Sequence, residues 1–387
     1  MRGPLVSVLV PAWNAAASIG RALDSVLDDP DAQVQVVVVD DASTDRTVAT
    51  VRAIAARDPR VELIESAVNG GPSAARNVGL PTLRGEWTTF LDADDRMLPG
   101  GLAALVDAAT RTDALAVVGQ RVWSDGRTTW ISRAYDRPDI RVPGRKSLLT
   151  HPGLLYYASG TGKLFHRSCI EGLRFEGRVL GDQPWTIRAL LRAGDRIEVI
   201  ADDVYEWTRP APGSTDSSIT SRKHASAALA GEAVLVAIDA SAAVRDEADR
   251  VLADPADREL IDAAYVGRLM RSDFAGPVRR AVETRDPGMT PLFEALRRFV
   301  EGTPPTTLVA SRSAGSLVRP PLVGWNRMTP AGRRAYLALL AALPPDLVPW
   351  YAFTFLPDAL RTPLVALESA VAQLVRAAVR RRSRATG

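Results

Sequence analysis

The sequence is poor in cysteine and histidine, and it has no long hydrophobic run. Its single cysteine, Cys169, excludes an internal disulfide framework and is typical of proteins from a reducing compartment. The three histidines lack the H-x-H and H-E-x-x-H spacings, which excludes histidine–zinc chemistry. No apolar run reaches the roughly 20 residues of a membrane-spanning helix, because prolines interrupt the best candidate at residues 336–360.

The two ends of the chain bear on its location. The apolar stretch Leu5–Val10 is too short for the core of a signal peptide, so we expect a cytoplasmic protein. Near the other end, apolar residues recur at helical spacing over 364–378, and residues 376–384 are rich in arginine. This pattern favours a helix packed on its own domain. Homo-oligomerisation and docking to the inner face of an anionic membrane are the open alternatives.

Length and composition indicate a globular protein with more than one domain. The chain has 387 residues, of which 46% are hydrophobic and 24% are charged, close to the averages of soluble proteins. A chain of this length exceeds one ordinary core, so two or three domains are expected. The net charge of +3 is too small to indicate a nucleic-acid partner, although it suits a phosphorylated ligand.

Short apolar runs alternate with helical patterns through the first 120 residues. We predict strands at Val6–Val10, Val34–Val39, Val61–Ile64, Trp87–Leu91 and Ala114–Val118. The amphipathic segments between them predict helices over 15–28, 46–57, 73–80 and 98–109. Uninterrupted β-branched strands that alternate with helices indicate a mostly parallel, Rossmann-like α/β sheet with helices on both faces.

Beyond residue 120 the pattern changes twice. Two strands are predicted to pair over 117–132, followed by a helix over 182–192 and strand character over 196–207. From residue 222 the chain is predicted to be helical, with proline breaks near 302–305, 319–321 and 343–349. We therefore expect an α/β domain over 1–220 and a mainly α-helical region over 221–387. That region is expected to serve acceptor binding, oligomerisation or membrane docking.

Polar side chains follow each of the first four strands. They are Asn14 after the first strand, Asp40 and Asp41 after the second, Asn69 after the third, and Asp92 and Asp94 after the fourth. Because ligands of parallel sheets bind at the carboxyl ends of the strands, we expect these side chains to share one crevice. One carboxylate after the second strand suits a base or ribose hydroxyls, whereas Ser43 and Asp45 are predicted helix caps.

Asp92 and Asp94 are the candidate metal ligands. If the strand continues through them, both carboxylates point the same way and reach one cation. Hard oxygen ligands favour Mg²⁺ or Mn²⁺, with the diphosphate of a ligand in the remaining positions. The alternative is a polar loop with capping aspartates. Arg76 is predicted to clamp a phosphate, to orient the aspartates, or to lie on the surface of its helix.

Taken together, these residues resemble the family 2 glycosyltransferases of the GT-A fold. The matching motifs are Pro11-Ala12-Trp13-Asn14, Val39–Asp45, Asn69-Gly70-Gly71 with Ala75-Arg76-Asn77, and Phe90–Asp95. The resemblance implies an inverting sugar transfer from a nucleotide-sugar donor, with a UDP-sugar expected. It implies that Asp40 contacts the base, that Asp92 contacts ribose or metal, and that Asp94 binds the metal. The predicted donor site is completed by Pro11, Trp13, Asn14, Asp41, Asn69 and Arg76.

The general base of this family is an aspartate of an acidic pair at the start of a later helix. The best match is Leu180-Gly181-Asp182-Gln183-Pro184-Trp185, which assigns the base to Asp182. Gly181 departs from the pattern, since the family usually has glutamate there. Asp182 is alternatively a helix cap, which a proline near the first turn supports. The two roles are compatible.

Two later segments are similar to those of glycosyltransferases that decorate teichoic-acid-type polymers. They are Gly162–Ser168 and Tyr205–Arg209. The similarity implies a carbohydrate or polyol-phosphate polymer as acceptor, and Lys163 and Arg209 join the predicted donor site. Lys163 is one of only three lysines in an arginine-rich chain. Arg209 is alternatively a surface residue.

The sequence thus predicts a metal-dependent hexosyl- or N-acetylhexosaminyl-transferase, and two alternatives stay open. A nucleotidyltransferase also places carboxylates and a cation at such an edge. Enzymes of that class use a glycine-rich, lysine-bearing first loop, which Pro11-Ala12-Trp13-Asn14 does not match. A catalytically inactive nucleotide-sugar-binding or scaffold module is the other alternative, and Gly181 is its one sequence hint.

Overall fold

The computed structural model describes residues 5–28, 33–132, 135–177, 181–209, 227–284, 288–311 and 328–342. The chain divides into two compact units, residues 1–265 and 266–387. The predicted domain boundary after residue 220 lies outside the described residues and stays a prediction. The proline breaks at 319–321 and 343–349, the apolar stripe at 364–378 and the basic tail lie outside them as well.

One sheet of ten strands organises the first unit. In chain order the strands are β1 (Val6–Ala12), β2 (Val34–Asp40), β3 (Val61–Glu65), β4 (Trp87–Phe90), β5 (Arg96–Met97), β6 (Ala116–Ser124), β7 (Thr129–Trp130), β8 (Gly144–Lys146), β9 (Lys163–His166) and β10 (Ile197–Thr208). Their spatial order is β3-β2-β1-β4-β9-β6-β10-β5, with β7 beside β6 and β8 beside β10.

The predicted α/β architecture is confirmed, with one correction to the sheet. The first four strands pair in parallel, and so do β6 and β10. Between β4 and β6, however, β9 runs antiparallel to both neighbours, so the sheet is mixed rather than mostly parallel. With only four residues, β9 is shorter than the windows in which hydrophobic periodicity can be recognised. The predicted pairing over 117–132 is confirmed by β6 and β7.

Runs of valine place β1 and β2 at the centre of the core. Every residue of these two strands is buried, so both of their faces are covered. Four helices follow the early strands near their predicted bounds: α1 (Ile19–Leu27), α2 (Thr47–Ala55), α3 (Pro72–Gly79) and α4 (Gly101–Arg111). The buried residues of α1 form the stripe of an amphipathic helix, at Ile19, Ala22, Leu23 and Val26.

The remaining helices follow the predicted change of pattern. The first unit adds α5 (Pro138–Arg141), α6 (Arg167–Ile170), α7 (Asp182–Ala193) and α8 (Ala227–Val251). From residue 255 come α9 (Pro255–Arg268), a π-helical turn (Leu269–Phe274), α10 (Ala275–Glu283), α11 (Met289–Glu301), α12 (Pro305–Ser311) and α13 (Pro330–Ala342). The helical C-terminal region is thereby confirmed over its described residues. Among these helices, none is long and apolar enough to span a bilayer.

A buried carboxylate joins α7, the helix that begins at Asp182, to α8. Glu247 of α8 is fully buried and accepts hydrogen bonds from Arg192 of α7, at 2.9 Å from Nε and 3.1 Å from Nη2. Arg188 and Arg250 contact it at 3.4 and 3.2 Å. Burial alone would raise the pKa of Glu247. The hydrogen bonds and charges of the three arginines outweigh burial and lower that pKa below its ordinary value.

Replacing Glu247 with glutamine should lower the free energy of unfolding by about 2 kcal/mol, because three arginines lose a buried partner. The matched control is Asp107→Asn. It removes an exposed pair with Arg111 and should cost less than about 0.5 kcal/mol. Urea denaturation measures both effects.

The pH dependence of this difference follows from the lowered pKa of Glu247. Folding favours the ionised carboxylate, so its contribution is complete above the unfolded-state pKa and is lost as the pH falls through the folded-state pKa. Wild type and Glu247→Gln should therefore converge in acid. Equal stability of the two chains at neutral pH would contradict the assigned role.

Candidate active site

Hydrogen bonds between side chains and backbone tie together the loops after β1 and β2. Asn14, in the left-handed region at φ 48°, accepts the Thr44 N–H at 2.8 Å. Its own N–H donates to Ser43 Oγ at 2.9 Å. Asp45 accepts the N–H of Thr47, the first residue of α2, at 2.9 Å, but the N-cap residue itself is Arg46, whose side chain forms no cap hydrogen bond. Ser43 was predicted as a second cap, and that prediction is wrong because its hydroxyl joins the two loops instead.

Asp40 ends β2 with one carboxylate oxygen left without a partner. The residue is 2% exposed, and its Oδ2 accepts the Ser43 N–H at 2.9 Å. Its Oδ1 is buried and has no hydrogen-bond partner among the described residues. Ala12 pairs with Asp40, so Trp13, which is 41% exposed, leaves the sheet beside this carboxylate. A buried acceptor without a donor costs free energy, which a ligand N–H or O–H can offset.

Asp41 and Asn69 hold the loop after β3 against the loop after β2. The Asp41 carboxylate accepts the N–H groups of Gly70 and Gly71, at 2.9 and 2.7 Å. Its carbonyl accepts from Asn69 Nδ2 at 3.1 Å. Gly71 adopts φ 86°, a conformation that other residues rarely reach. The hydrogen bonds of Asp41 and Asn69 therefore support the crevice, and Pro11 is buried within β1.

The acidic segment after β4 is a turn rather than a continued strand. β4 ends at Phe90, and the Asp95 N–H donates to the Asp92 carbonyl at 3.0 Å. The strand alternation expected for Asp92 and Asp94 therefore does not apply. The turn itself separates the aspartates: Asp92 and Asp94 are partly exposed, whereas Asp95 is 1% exposed.

Asp95 anchors this turn to the end of β10. Its two oxygens accept from the Tyr205 hydroxyl and from the Thr208 N–H, each at 2.7 Å. The Tyr205 oxygen in turn accepts the Asp92 N–H at 3.1 Å. Burial first, and then the charges of Asp94 and Asp92, raise the pKa of Asp95 well above its usual range. Asp92 and Asp94, which remain partly exposed, therefore form the negative patch at the end of β4.

Arg76 is a buried residue that orients Asp92. It is 7% exposed, and its Nη2 donates to Asp92 Oδ1 at 2.6 Å. Its guanidinium also lies 5.5 Å from the centre of the Phe175 ring. Of the three roles that the sequence left open, this geometry matches the orientation of the aspartates. The surface position is wrong, because α3 turns this face toward the sheet.

Position 181 is too crowded for any side chain. A Cβ on Gly181 would lie 2.1 Å from the Glu176 carbonyl oxygen and 2.4 Å from Ser73 Oγ. The glutamate usual in the family does not fit here. Asp182 begins α7 with a partly exposed side chain that forms no hydrogen bond within the described part of the chain. Its carboxylate is therefore not engaged as a helix cap.

Lys163 and Arg209, the remaining basic residues of the predicted donor site, differ in burial. Lys163 is 1% exposed and donates to the Ser159 carbonyl at 2.9 Å, below the surface of the crevice. Arg209 is exposed just beyond β10, with its guanidinium 5.7 Å from the centre of the Trp123 ring. Sequence reasoning missed Arg21, whose Nη2 donates to the Asp94 carbonyl at 2.9 Å. The contact joins residues 73 positions apart, so no local pattern signals it.

Asp92 and Asp94 are the partly exposed carboxylates of the acidic turn. Across the described ranges no group of three or more histidine, cysteine, aspartate or glutamate side chains could hold a metal alone. A cation would therefore need ligands from a substrate as well. Two partly exposed carboxylates on one turn form a negative patch that a divalent cation would neutralise.

Comparison with known proteins identifies the class. Residues 7–174 match the family model described as Glycosyl transferase family 2. The succinoglycan biosynthesis protein ExoO of Rhizobium meliloti is 44% identical over 127 residues, or 32% of this chain and 36% of that protein. The glycosyltransferase EpsJ of Bacillus subtilis is 28% identical over 214 residues, which are 52% of this chain and 60% of that protein. The match therefore spans between one third and three fifths of these relatives.

A solved structure extends the likeness in fold. The crystal structure of S. aureus TarS 1-349 superposes with a TM-score of 0.64 at 20% identity, covering 87% of this chain and 90% of that one. The family model and the EpsJ relative that match this chain are those of glycosyltransferases. More narrowly, residues 7–174, which are less than half of the chain, are similar to glycosyltransferase family 2, and the chain has the GT-A fold that the motifs implied.

Replacing Gly181 with alanine should displace the start of α7 and with it Asp182, because the added methyl would overlap Glu176 and Ser73. We expect a loss of stability of about 1–3 kcal/mol and a loss of turnover of about 10²-fold, with nucleotide binding retained. Gly20→Ala is the matched control, since no atom lies within 4 Å of its added Cβ. Thermal unfolding and steady-state kinetics of both variants test the claim, and normal turnover by Gly181→Ala would refute it.

Proposed function

We propose that the chain is an inverting, metal-dependent glycosyltransferase that moves a sugar from a UDP-sugar to an acceptor hydroxyl. The observation that carries this proposal is the pair of partly exposed carboxylates, Asp92 and Asp94, on the turn that follows β4. Similarity to the family supports the reaction class. The related fold of S. aureus TarS 1-349 has been solved with UDP-GlcNAc, which supports the choice of donor.

The donor base is proposed to bind between the first two loops. Asp40 Oδ1 is the one buried carboxylate oxygen there that lacks a partner within the described ranges, and it suits the imide N–H of uracil. Trp13 follows Ala12, the β1 partner of Asp40, and is 41% exposed, so its ring is proposed to stack on the base. Asp41 and Asn69 act indirectly in this arrangement, since their hydrogen bonds fix the neighbouring loop.

The diphosphate is proposed to meet the cation at the acidic turn. Asp94, with Asp92, would hold Mn²⁺ or Mg²⁺, which supplies charge neutralisation for the departing nucleoside diphosphate. Arg76 fixes the Asp92 carboxylate for this task through their 2.6 Å hydrogen bond. Arg209, exposed just beyond β10, is the candidate for a direct contact with the phosphates.

Asp182 is proposed to act as the general base. Its carboxylate takes the proton of the acceptor hydroxyl while that oxygen bonds to the anomeric carbon and the bond to the diphosphate breaks. A single displacement of this kind inverts the anomeric centre. A partly exposed carboxylate without hydrogen bonds from the described residues suits the role. Crowding at position 181 supplies a steric reason for glycine there, and this residue was the one hint that favoured an inactive module.

The same proposal extends to the sugar, the acceptor, the location of the protein and the role of its helical region. The sugar is a hexose or N-acetylhexosamine, and the acceptor is a carbohydrate or polyol-phosphate polymer. We place the protein in the cytoplasm, at or near the inner face of the membrane. The helical region from residue 221 is proposed to serve acceptor binding, self-association or membrane docking.

Asp94→Ala should abolish the increase in UDP affinity that Mn²⁺ produces, because the cation loses a protein ligand. Asp182→Asn should retain that increase but lower transfer by about 10²–10⁴-fold, because only the proton acceptor is removed. The control is Asp113→Asn, which removes exposed ion pairs with Arg145 and Arg196. It should retain both the effect of Mn²⁺ on UDP affinity and the transfer activity. Calorimetry with UDP and product analysis after incubation with UDP-sugars provide the readouts. Full activity of Asp182→Asn would remove the base assignment.

A further inference from the structure

Two cationic side chains lie side by side inside the first unit. Arg121 of β6 is 7% exposed and Lys163 of β9 is 1% exposed. The ring of Tyr157 lies against both, with its centre 5.4 Å from the Arg121 guanidinium carbon and 3.6 Å from Lys163 Nζ. Lysine and arginine are seldom buried so completely unless an anion accompanies them.

Among the residues that the structure describes, both cations have only neutral hydrogen-bond partners. Arg121 Nη1 donates to Ser159 Oγ at 2.9 Å and to Thr161 Oγ1 at 3.3 Å, and Lys163 Nζ donates to the Ser159 carbonyl at 2.9 Å. The Nε of Arg121 is buried without a partner. Within the described ranges neither cation forms an ion pair with a carboxylate. The positive charge of the pair is therefore not matched by direct contact with an anion.

A second buried lysine, Lys146, lies away from the candidate active site. Lys146 is 4% exposed and donates to the carbonyls of Pro138 and Asp139, at 3.2 and 2.8 Å. It pairs with Ile197 at the start of β10, whereas the candidate active site lies at the end of that strand. Arg121 and Lys163, by contrast, both contact the ring of Tyr157 and lie near the candidate active site.

The pair lies near the acidic turn and near Asp182. Thr161, which accepts from Arg121, bridges to Phe90 at the end of β4, two residues before Asp92. Arg121 interacts electrostatically with Asp95, and Lys163 with Asp182. In the proposed function, the transferred sugar and the attacking hydroxyl meet between the acidic turn and Asp182.

We propose that Arg121 and Lys163 form an anion subsite that takes a carboxylate or phosphate group carried by one of the two substrates. The inference rests on the proposed function and specifies its substrate class. A guanidinium and an ammonium together suit the spread charge of such a group. Burial and the neighbouring Arg121 lower the pKa of Lys163 well below its ordinary value, and an anion placed between the two would favour its charged form again.

Two pairs of probes distinguish the sources of the anion. In the donor arm, calorimetry on the full chain with Mn²⁺ compares UDP-glucuronate with UDP-glucose. In the acceptor arm, transfer from UDP-glucose is measured to ribitol phosphate and to ribitol. We expect the charged probe of one arm to be preferred at least about tenfold, as a charge-assisted hydrogen bond allows. The arm that shows the preference identifies the substrate that carries the anion.

Variants test whether the pair causes the preference. Arg121→Met and Lys163→Met should each reduce the preference for the charged over the neutral probe to about twofold or less, whereas Lys146→Met should leave this preference unchanged. Arg121→Gln and Lys163→Gln serve where a methionine variant fails to fold. A wild-type ratio below about tenfold in both arms, or a ratio that survives both substitutions, overturns the subsite. If the UDP-sugars bind with Mn²⁺ but neither arm shows a charge preference, only the subsite fails. If neither UDP-sugar binds with Mn²⁺, the proposed function fails and the subsite falls with it.

Discussion

The hydrogen bonds that hold buried Asp95 determine the form of the candidate active site. Tyr205 and Thr208, at the end of β10, bind its two oxygens and draw the turn after β4 against the sheet. Because Asp95 points inward, Asp92 and Asp94 remain at the surface of the crevice. A carboxylate buried against two like charges is costly, so this anchor is stable only while its donors stay in place.

Identical side chains acquire different roles from their neighbours. Asp41 and Asp45 each accept two backbone N–H groups and fix loops. Asp40 keeps one buried oxygen without a partner, and Asp182 keeps a carboxylate without hydrogen bonds from the described residues. The second pair of aspartates has the unsatisfied capacity that substrate recognition and proton transfer require, which is why the proposed chemistry is assigned to it.

The local sequence predicts the secondary-structure elements better than it predicts which side chains contact one another. Valine runs and helical stripes located β1 to β4 and α1 to α4 within a few residues, because both signals are short-range. The inward turn of Asp95 depends on Tyr205, which is 110 positions away, and no spacing rule distinguishes it from Asp92 or Asp94. The same holds for Gly181, whose crowding comes from Ser73, and for Arg121, which no motif marked.

The central claim is that one divalent cation joins the acidic turn to the diphosphate of a nucleotide sugar. Crystals grown with UDP and Mn²⁺, measured at the manganese absorption edge, test it most directly. The account predicts a single anomalous peak within coordination distance of the Asp94 carboxylate and of both phosphates. Ordered UDP in the crevice with no manganese at the turn, or manganese bound only elsewhere, would contradict it.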